Sequence, residues 1–271
     1  MTTTNDLRSL TARDHTFALV DKGRGMPVLL VHGFPLDHTM WQFQLGGLVD
    51  LGRIIAPDLR GFGRSVPCDR PILTMETLAD DLAAILEALQ VEEPIVFCGL
   101  SMGGYVAWEF WRRHGQRLRG LILCDTRAAP DSPEAAAQRL ENAAKVMDQG
   151  VKFFAEMMVA RLFCPQTAEK QPDLVAAIRQ VMENTLPQSV AATLRGLAQR
   201  VDARPWLSQI NVPTLVLVGE HDVVSPPDEM DSMAQAIPGS KFVKIPEAGH
   251  LAPLENPTAV NLAIREFLSN L

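Results

Sequence analysis

Hydrophobic positions along this chain fall into two kinds of run. Short, largely apolar stretches occur at 28–31, 53–56, 94–98, 120–124 and 213–218, each bounded by turn residues. Unbroken rather than alternating apolarity marks strands buried on both faces. Less continuous runs at 15–20 and 241–245 also read as strands. Between them lie stripes with a period near 3.6. In 74–90, Leu78, Leu82, Ile85, Leu86 and Leu89 make one face, and Thr74 sits where an N-cap belongs. Similar patterns predict helices at 39–48, 104–114, 226–237 and 257–268. Strands alternating with helices in this way predict an α/β fold with a parallel sheet covered on both faces.

The rhythm breaks between residues 127 and 204. No strand-like run occurs there, and 133–147, 151–162, 172–184 and 188–199 read as helices separated by Gly150, Pro165 and Pro187. The expected organisation is therefore two core segments, 1–126 and 205–271, with a helical insertion at 127–204. A chain of 271 residues, 47% hydrophobic and 21% charged, has ample material for one α/β core carrying a small insertion.

Charge and cysteine usage narrow the function classes. A net charge of −7 disfavours nucleic acid, whose phosphates would be repelled. The first residues show no basic region followed by an apolar run, so no signal peptide is expected, and no apolar run reaches the roughly 20 residues of a membrane span. A cytoplasmic protein is expected, as a monomer or homodimer acting on a small molecule. Cys68, Cys98, Cys124 and Cys164 lack metal-type spacing, and Cys98 and Cys124 fall in strands expected to be buried. Disulfides are not expected in a reducing compartment. No metal-ligand constellation, phosphate loop or dinucleotide fingerprint is visible, so cofactor-free chemistry is expected.

The stretch richest in chemistry is Gly99-Leu100-Ser101-Met102-Gly103, between a buried strand and a helix. Ser101 is placed on a tight turn, and the following helix start aims free N–H groups at its surroundings. That arrangement suits a serine attacking a carbonyl and leaving an oxyanion in need of donors. A serine hydroxyl is a weak nucleophile and requires a base, which in turn requires an orienting acid. His250 follows a strand in a loop at the same sheet edge, with Gly249 leaving it room. His32, His38 and His221 compete less well. Two acids are candidates: Asp222 after the strand at 213–218, and Asp125 after the strand at 120–124.

These features resemble the α/β-hydrolase family, in which the Ser101 turn is the nucleophile elbow. The resemblance implies a mostly parallel eight-stranded sheet flanked by helices, with the insertion folded over the site as a cap. The turn Gly219-Glu220-His221-Asp222 looks like the family's usual acid turn, and the order Ser, Asp, His matches, which favours Asp222. Asp125 holds a position that some relatives use instead. His32-Gly33-Phe34 resembles the family's H-G pair, implying that Phe34 N–H joins Met102 N–H in an oxyanion hole and that the Phe34 side chain borders the acyl pocket. Residues 58–65 resemble the family's D-x-R-G-x-G-x-S loop, where Asp58 and Arg60 are expected to brace the backbone.

Within the insertion, Phe153, Phe154, Met157, Met158, Leu162 and Phe163 form a broad apolar face. Phe153, Met157 and Phe163 are expected to contact substrate, as are Val224 and Leu251 beside the acid and the base. Serine at 101 argues against haloalkane dehalogenases and epoxide hydrolases, which use aspartate there. The chain is most similar to small esterases of the 3-oxoadipate enol-lactonase type. The function implied is hydrolysis of a small carboxylic ester or lactone through an acyl-enzyme. Alternatives on the same residues are a carbon–carbon bond hydrolase of vinylogous diketones, a cofactor-free perhydrolase or haloperoxidase, and a ligand-binding receptor of the same fold.

Overall fold

A computed structural model describes residues 7–271. Residues 1–6, from which no signal peptide is expected, lie outside the described residues. The chain opens with β1 (Leu7–Ala12) and β2 (His15–Lys22), then β3 (Pro27–Val31). A 3₁₀ turn at His38–Trp41 leads into α1 (Gln42–Gly47). β4 (Arg53–Pro57), α2 (Met75–Ala88), β5 (Ile95–Leu100), α3 (Met102–His114) and β6 (Leu118–Cys124) follow. Five helices come next without a strand: α4 (Pro133–Gln149), α5 (Lys152–Leu162), α6 (Pro165–Lys170), α7 (Pro172–Glu183) and α8 (Pro187–Leu197). The core resumes with β7 (Thr214–Gly219), α9 (Pro227–Ala236), β8 (Lys241–Ile245), α10 (Ala252–Glu255) and α11 (Pro257–Leu268).

The eight strands form one sheet in the order β1-β2-β4-β3-β5-β6-β7-β8. β2 runs antiparallel to β1 and β4, and every other neighbouring pair is parallel. The unbroken apolar runs have a direct structural reason. Leu29 and Val31 pack with α2 and α3 on one face, while Val28 and Leu30 pack with α1 and α11 on the other. A strand sandwiched in this way has no solvent side on which to place polar residues.

Three elements escape the sequence reading: β1, α6 and the four-residue α10. β1 is an edge strand whose Arg8, Ser9 and Thr11 are exposed, so it lacks an apolar signature and exists through its ladder with β2. The helix α6 is short and polar, with only Thr167 buried. All four cysteines are buried and free. Among the described residues, no helix is long and apolar enough to cross a membrane.

The parallel strands set the stage for the chemistry. Their carboxyl ends share one sheet edge, so the segments after β3, β5, β6, β7 and β8 converge there. Those segments carry Phe34, Ser101, Asp125, Asp222 and His250 respectively.

Candidate active site

Ser101 adopts φ 53° and ψ −110°, a left-handed backbone that side-chain-bearing residues avoid. The surroundings over-determine it. Its N–H donates to Cys124 O at 3.0 Å, and Thr126 Oγ1 donates to Ser101 O at 2.7 Å. The glycines on either side are steric requirements. A Cβ on Gly99 would stand 2.3 Å from Gly103 O, and one on Gly103 would stand 2.3 Å from Val31 O. The sharp turn closes only because neither residue has a side chain.

His250 and Asp222 meet at the same edge. His250 Nδ1 and Asp222 Oδ2 are 2.8 Å apart, and both residues are buried. Asp222 Oδ1 accepts the N–H groups of Val224 at 2.7 Å and Ser225 at 2.9 Å. Both carboxylate oxygens are thus committed, which fixes the orientation of the acid toward His250. With Nδ1–H donated to Asp222, the Nε2 of His250 is the nitrogen free to take a proton.

Met102 opens α3, so its N–H has no partner within the helix. Phe34 lies in the loop after β3, whose internal bond runs from Leu36 N–H to Gly33 O and leaves the Phe34 N–H unused. The loop is anchored by His32, fully buried between two segments. Its Nδ1 lies 2.8 Å from Gly33 O, and its Nε2 accepts Leu59 N–H at 3.0 Å. Burial holds the His32 pKa below its ordinary value, consistent with a neutral ring serving as both donor and acceptor.

The loop after β4 braces this region. Asp58 accepts His38 Nδ1 at 2.6 Å, His38 N–H at 2.8 Å and Arg64 N–H at 2.8 Å. Asp37, His38 and Asp58 lie close enough to suggest a metal cluster. The three donors already on Asp58 mark it as a structural brace. Arg60, with almost no exposed surface, makes a two-pronged contact with Asp81 at 2.7 and 2.9 Å. Neither Asp58 nor Arg60 lines the site cavity.

Asp125 resolves differently from Asp222. It is fully buried, its Oδ1 accepts Gly219 N–H at 2.8 Å, and its Oδ2 has no partner among the described residues. Burial, reinforced by the charge of Asp222, pushes its pKa well above the ordinary carboxylate value. The carboxyl ties β6 to β7, and His250 bonds to Asp222 instead.

A cavity of about 230 Å³ opens over these groups and is bordered by Ser101, Met102, Phe34 and His250. Its apolar part comes from Phe154, Met157, Met158, Leu194, Leu197 and Val224. Met157 and Val224 are where the sequence places them. Three other expected contacts lie elsewhere. Phe153 sits one residue from Phe154, about 100° round α5, and packs against the core. Phe163 lies beyond the end of α5 and packs into the opposite cluster, where Leu251 is wholly buried. The sequence reading also missed a polar wall. Ala135, Gln138, Arg139 and Asn142 of α4 face the cavity at helical spacing, and Arg161 joins them from α5. Polar residues on a helix read as its solvent face, and here that face borders the cavity.

A doubly covered sheet with a strained serine between strand and helix, and a His–Asp pair at the same edge, defines an α/β hydrolase. The family described as alpha/beta hydrolase fold matches residues 26–257, and the chain belongs to it. An AB hydrolase superfamily protein of Bacillus subtilis is 33% identical, over 93% of this chain and 95% of its own. The solved structure of a thermophilic esterase from Thermogutta terrifontis is 49% identical, with a TM-score of 0.94, covering 97% of this chain and 98% of that one. An enol-lactonase from Burkholderia xenovorans LB400 is 28% identical, with a TM-score of 0.90, covering 97% of this chain and all of that one.

Proposed function

We propose that this hydrolase cleaves a small carboxylic ester or lactone through an acyl-enzyme, with Ser101 as nucleophile, His250 as base and Asp222 as orienting acid. The observation that carries this reading is the 2.8 Å His250–Asp222 bond beside a cavity that also exposes Ser101. Similarity to an esterase and an enol-lactonase supports the substrate class.

In this reading Ser101 Oγ attacks the acyl carbon while His250 Nε2 takes its proton. The oxyanion forms between the N–H groups of Phe34 and Met102, where fixed donors cost no reorganisation as charge develops. Asp222 stabilises the imidazolium and fixes its tautomer. The imidazolium then protonates the leaving alkoxide, and a water activated by the same histidine releases the acid. The helical insertion 127–204 acts as a cap, with α4 and α5 bounding the cavity over the serine. A volume of about 230 Å³ suits a substrate of modest size.

Burst kinetics with p-nitrophenyl acetate test the proposal. An acyl-enzyme gives one equivalent of nitrophenolate followed by steady turnover, whereas a receptor that merely retains the serine stops after the burst. Ser101→Ala removes both phases and leaves at most the ~10³–10⁴-fold residual catalysis expected from donors and binding alone. Near-normal turnover in that variant overturns the assignment.

A further inference from the structure

Glu255 ends α10, five residues after His250, and is only 7% exposed. Its carboxylate is spent entirely on main-chain donors. Oε1 accepts Gly249 N–H at 2.8 Å and Leu251 N–H at 3.3 Å, the two peptide groups flanking His250. Oε2 accepts Cys164 N–H at 2.8 Å, just beyond the end of α5. Two more bonds cross the same seam: His250 N–H to Leu162 O at 2.9 Å, and Cys164 Sγ to Glu247 O at 3.3 Å. The end of α5 and the His250 loop are therefore joined through one buried carboxylate.

Such a group costs several kcal/mol to desolvate unless hydrogen bonds repay it. Among the described residues no cation pairs with Glu255; three N–H groups do that work instead. Two of them belong to the backbone that carries the imidazole. The third, Cys164 N–H, lies two residues beyond the helix that places Phe154, Met157, Met158 and Arg161 on the cavity wall.

We infer that Glu255 is a positioning residue for the base. It sets the place of the His250 loop over Ser101 and locks that loop to α5, so that cavity wall and base move as one unit. The inference rests on His250 being the base. Geometry alone gives Glu255 leverage, since a displacement of about 1 Å at a reacting group can cost on the order of 10²-fold in rate. A second signature is a split between kcat and KM, because Glu255 holds the base loop and is not itself among the residues that border the cavity.

Glu255→Gln keeps size and burial but removes the charge and turns an amide NH₂ toward one of the donors. Turnover is normalised to active sites by the p-nitrophenyl acetate burst, which discounts unfolded protein. The expected result is a kcat per titrated site reduced roughly 10–100-fold, with KM changed less than about twofold. Unchanged kcat per site overturns the inference, whatever happens to the melting temperature. Cys164→Pro guards against a Gln variant that does not fold. Cys164 has φ −67° and Phe163 has ψ 148°, both compatible with proline. That variant removes the Cys164 N–H donor to the carboxylate and the Sγ bond to Glu247 O, while both donors beside His250 stay in place, so kcat per site falls. Full kcat per site in Cys164→Pro also overturns the lock. Failure of the base reading shows separately, as a His250→Ala variant that keeps wild-type turnover.

Discussion

Asp125 and Asp222 stand at the ends of adjacent strands with the same side chain, and the difference between them lies in their donors. Asp222 has three: two main-chain N–H groups and the His250 imidazole. Asp125 has one, its other oxygen has no partner among the described residues, and burial raises its pKa. Asp222→Asn is therefore expected to lower kcat about 10⁴-fold, because the amide favours the wrong imidazole tautomer. Asp125→Asn keeps the shape and the oxygen that accepts Gly219 N–H, and it breaks no bond to His250, so kcat changes far less. Steady-state kinetics on one ester separate the two, and a reversed order would move the orienting role to Asp125.

The His38–Asp58 pair makes a prediction in pH rather than rate. Burial opposes a charge on His38, but the bond and charge of Asp58 outweigh it and raise the pKa above 6.5. The stabilised form is the protonated one. Its contribution is complete below the ordinary 6.5 and lost as pH rises through the folded pKa. Burial works against ionised Asp58 too, but His38 and the two N–H donors bring its pKa below 3.8. Its contribution therefore holds above 3.8 and is lost as pH falls through the lowered value. The gap in melting temperature between wild type and His38→Gln should be widest between these limits and shrink toward alkaline pH. A gap that does not vary with pH would mean that His38 is uncharged in the folded protein.

At the scale of elements, α4 and α5 divide the cavity between them. Residues 135, 138, 139 and 142 on α4 and residues 154, 157, 158 and 161 on α5 both follow the helical i, i+3, i+4, i+7 spacing, and each set points into the same space. Helix existence was legible in both cases, but the inward face was not. α5 carries Phe153, Phe154, Met157 and Met158 on several sides, so periodicity could not choose among them. α4 has an apolar stripe, Ala143 and Val146, that packs on the core, and part of its polar side, Gln138, Arg139 and Asn142, borders the cavity. The elbow and the His–Asp pair were legible because each depends on local residues at a strand end. The role of Glu255 was not, since it depends on a donor 91 residues away.

The division of the helices can be tested. Each CH₂ of contact is worth about 0.8 kcal/mol, so Phe154→Ala or Met157→Ala is expected to lengthen the preferred acyl chain by about one or two carbons. Phe153→Ala and Phe163→Ala should leave the profile of kcat/KM across p-nitrophenyl esters unchanged. A shift caused by Phe153→Ala and absent from Phe154→Ala would turn α5 round relative to the structure described.

For the molecule as a whole, the charge of the cavity opposes the charge of the chain. The protein carries −7, yet no carboxylate is among the residues that border the cavity, while two arginines are. Arg139 shares Asp131 with Arg200, leaving that trio with a net positive charge. Arg161 has no ion-pair or hydrogen-bond partner among the described residues and is exposed at the wall. A substrate approaching from solvent meets a repulsive surface if it is anionic, then an attractive wall once inside. Screening separates the two contributions, because interactions beyond roughly 8 Å fade at physiological salt while a contact with Arg161 persists better. An exposed ion pair is worth about 0.2–1 kcal/mol, which is at most about a fivefold preference. The expected outcome is that a p-nitrophenyl ester ending in a carboxylate has a lower KM than its neutral isostere at moderate salt. Arg161→Gln should abolish that difference and leave kcat on p-nitrophenyl acetate unaltered. If the neutral ester binds better at moderate salt, and Arg161→Gln does not change the ratio, the long-range field of the chain governs entry and the arginine wall plays no part in choosing substrate.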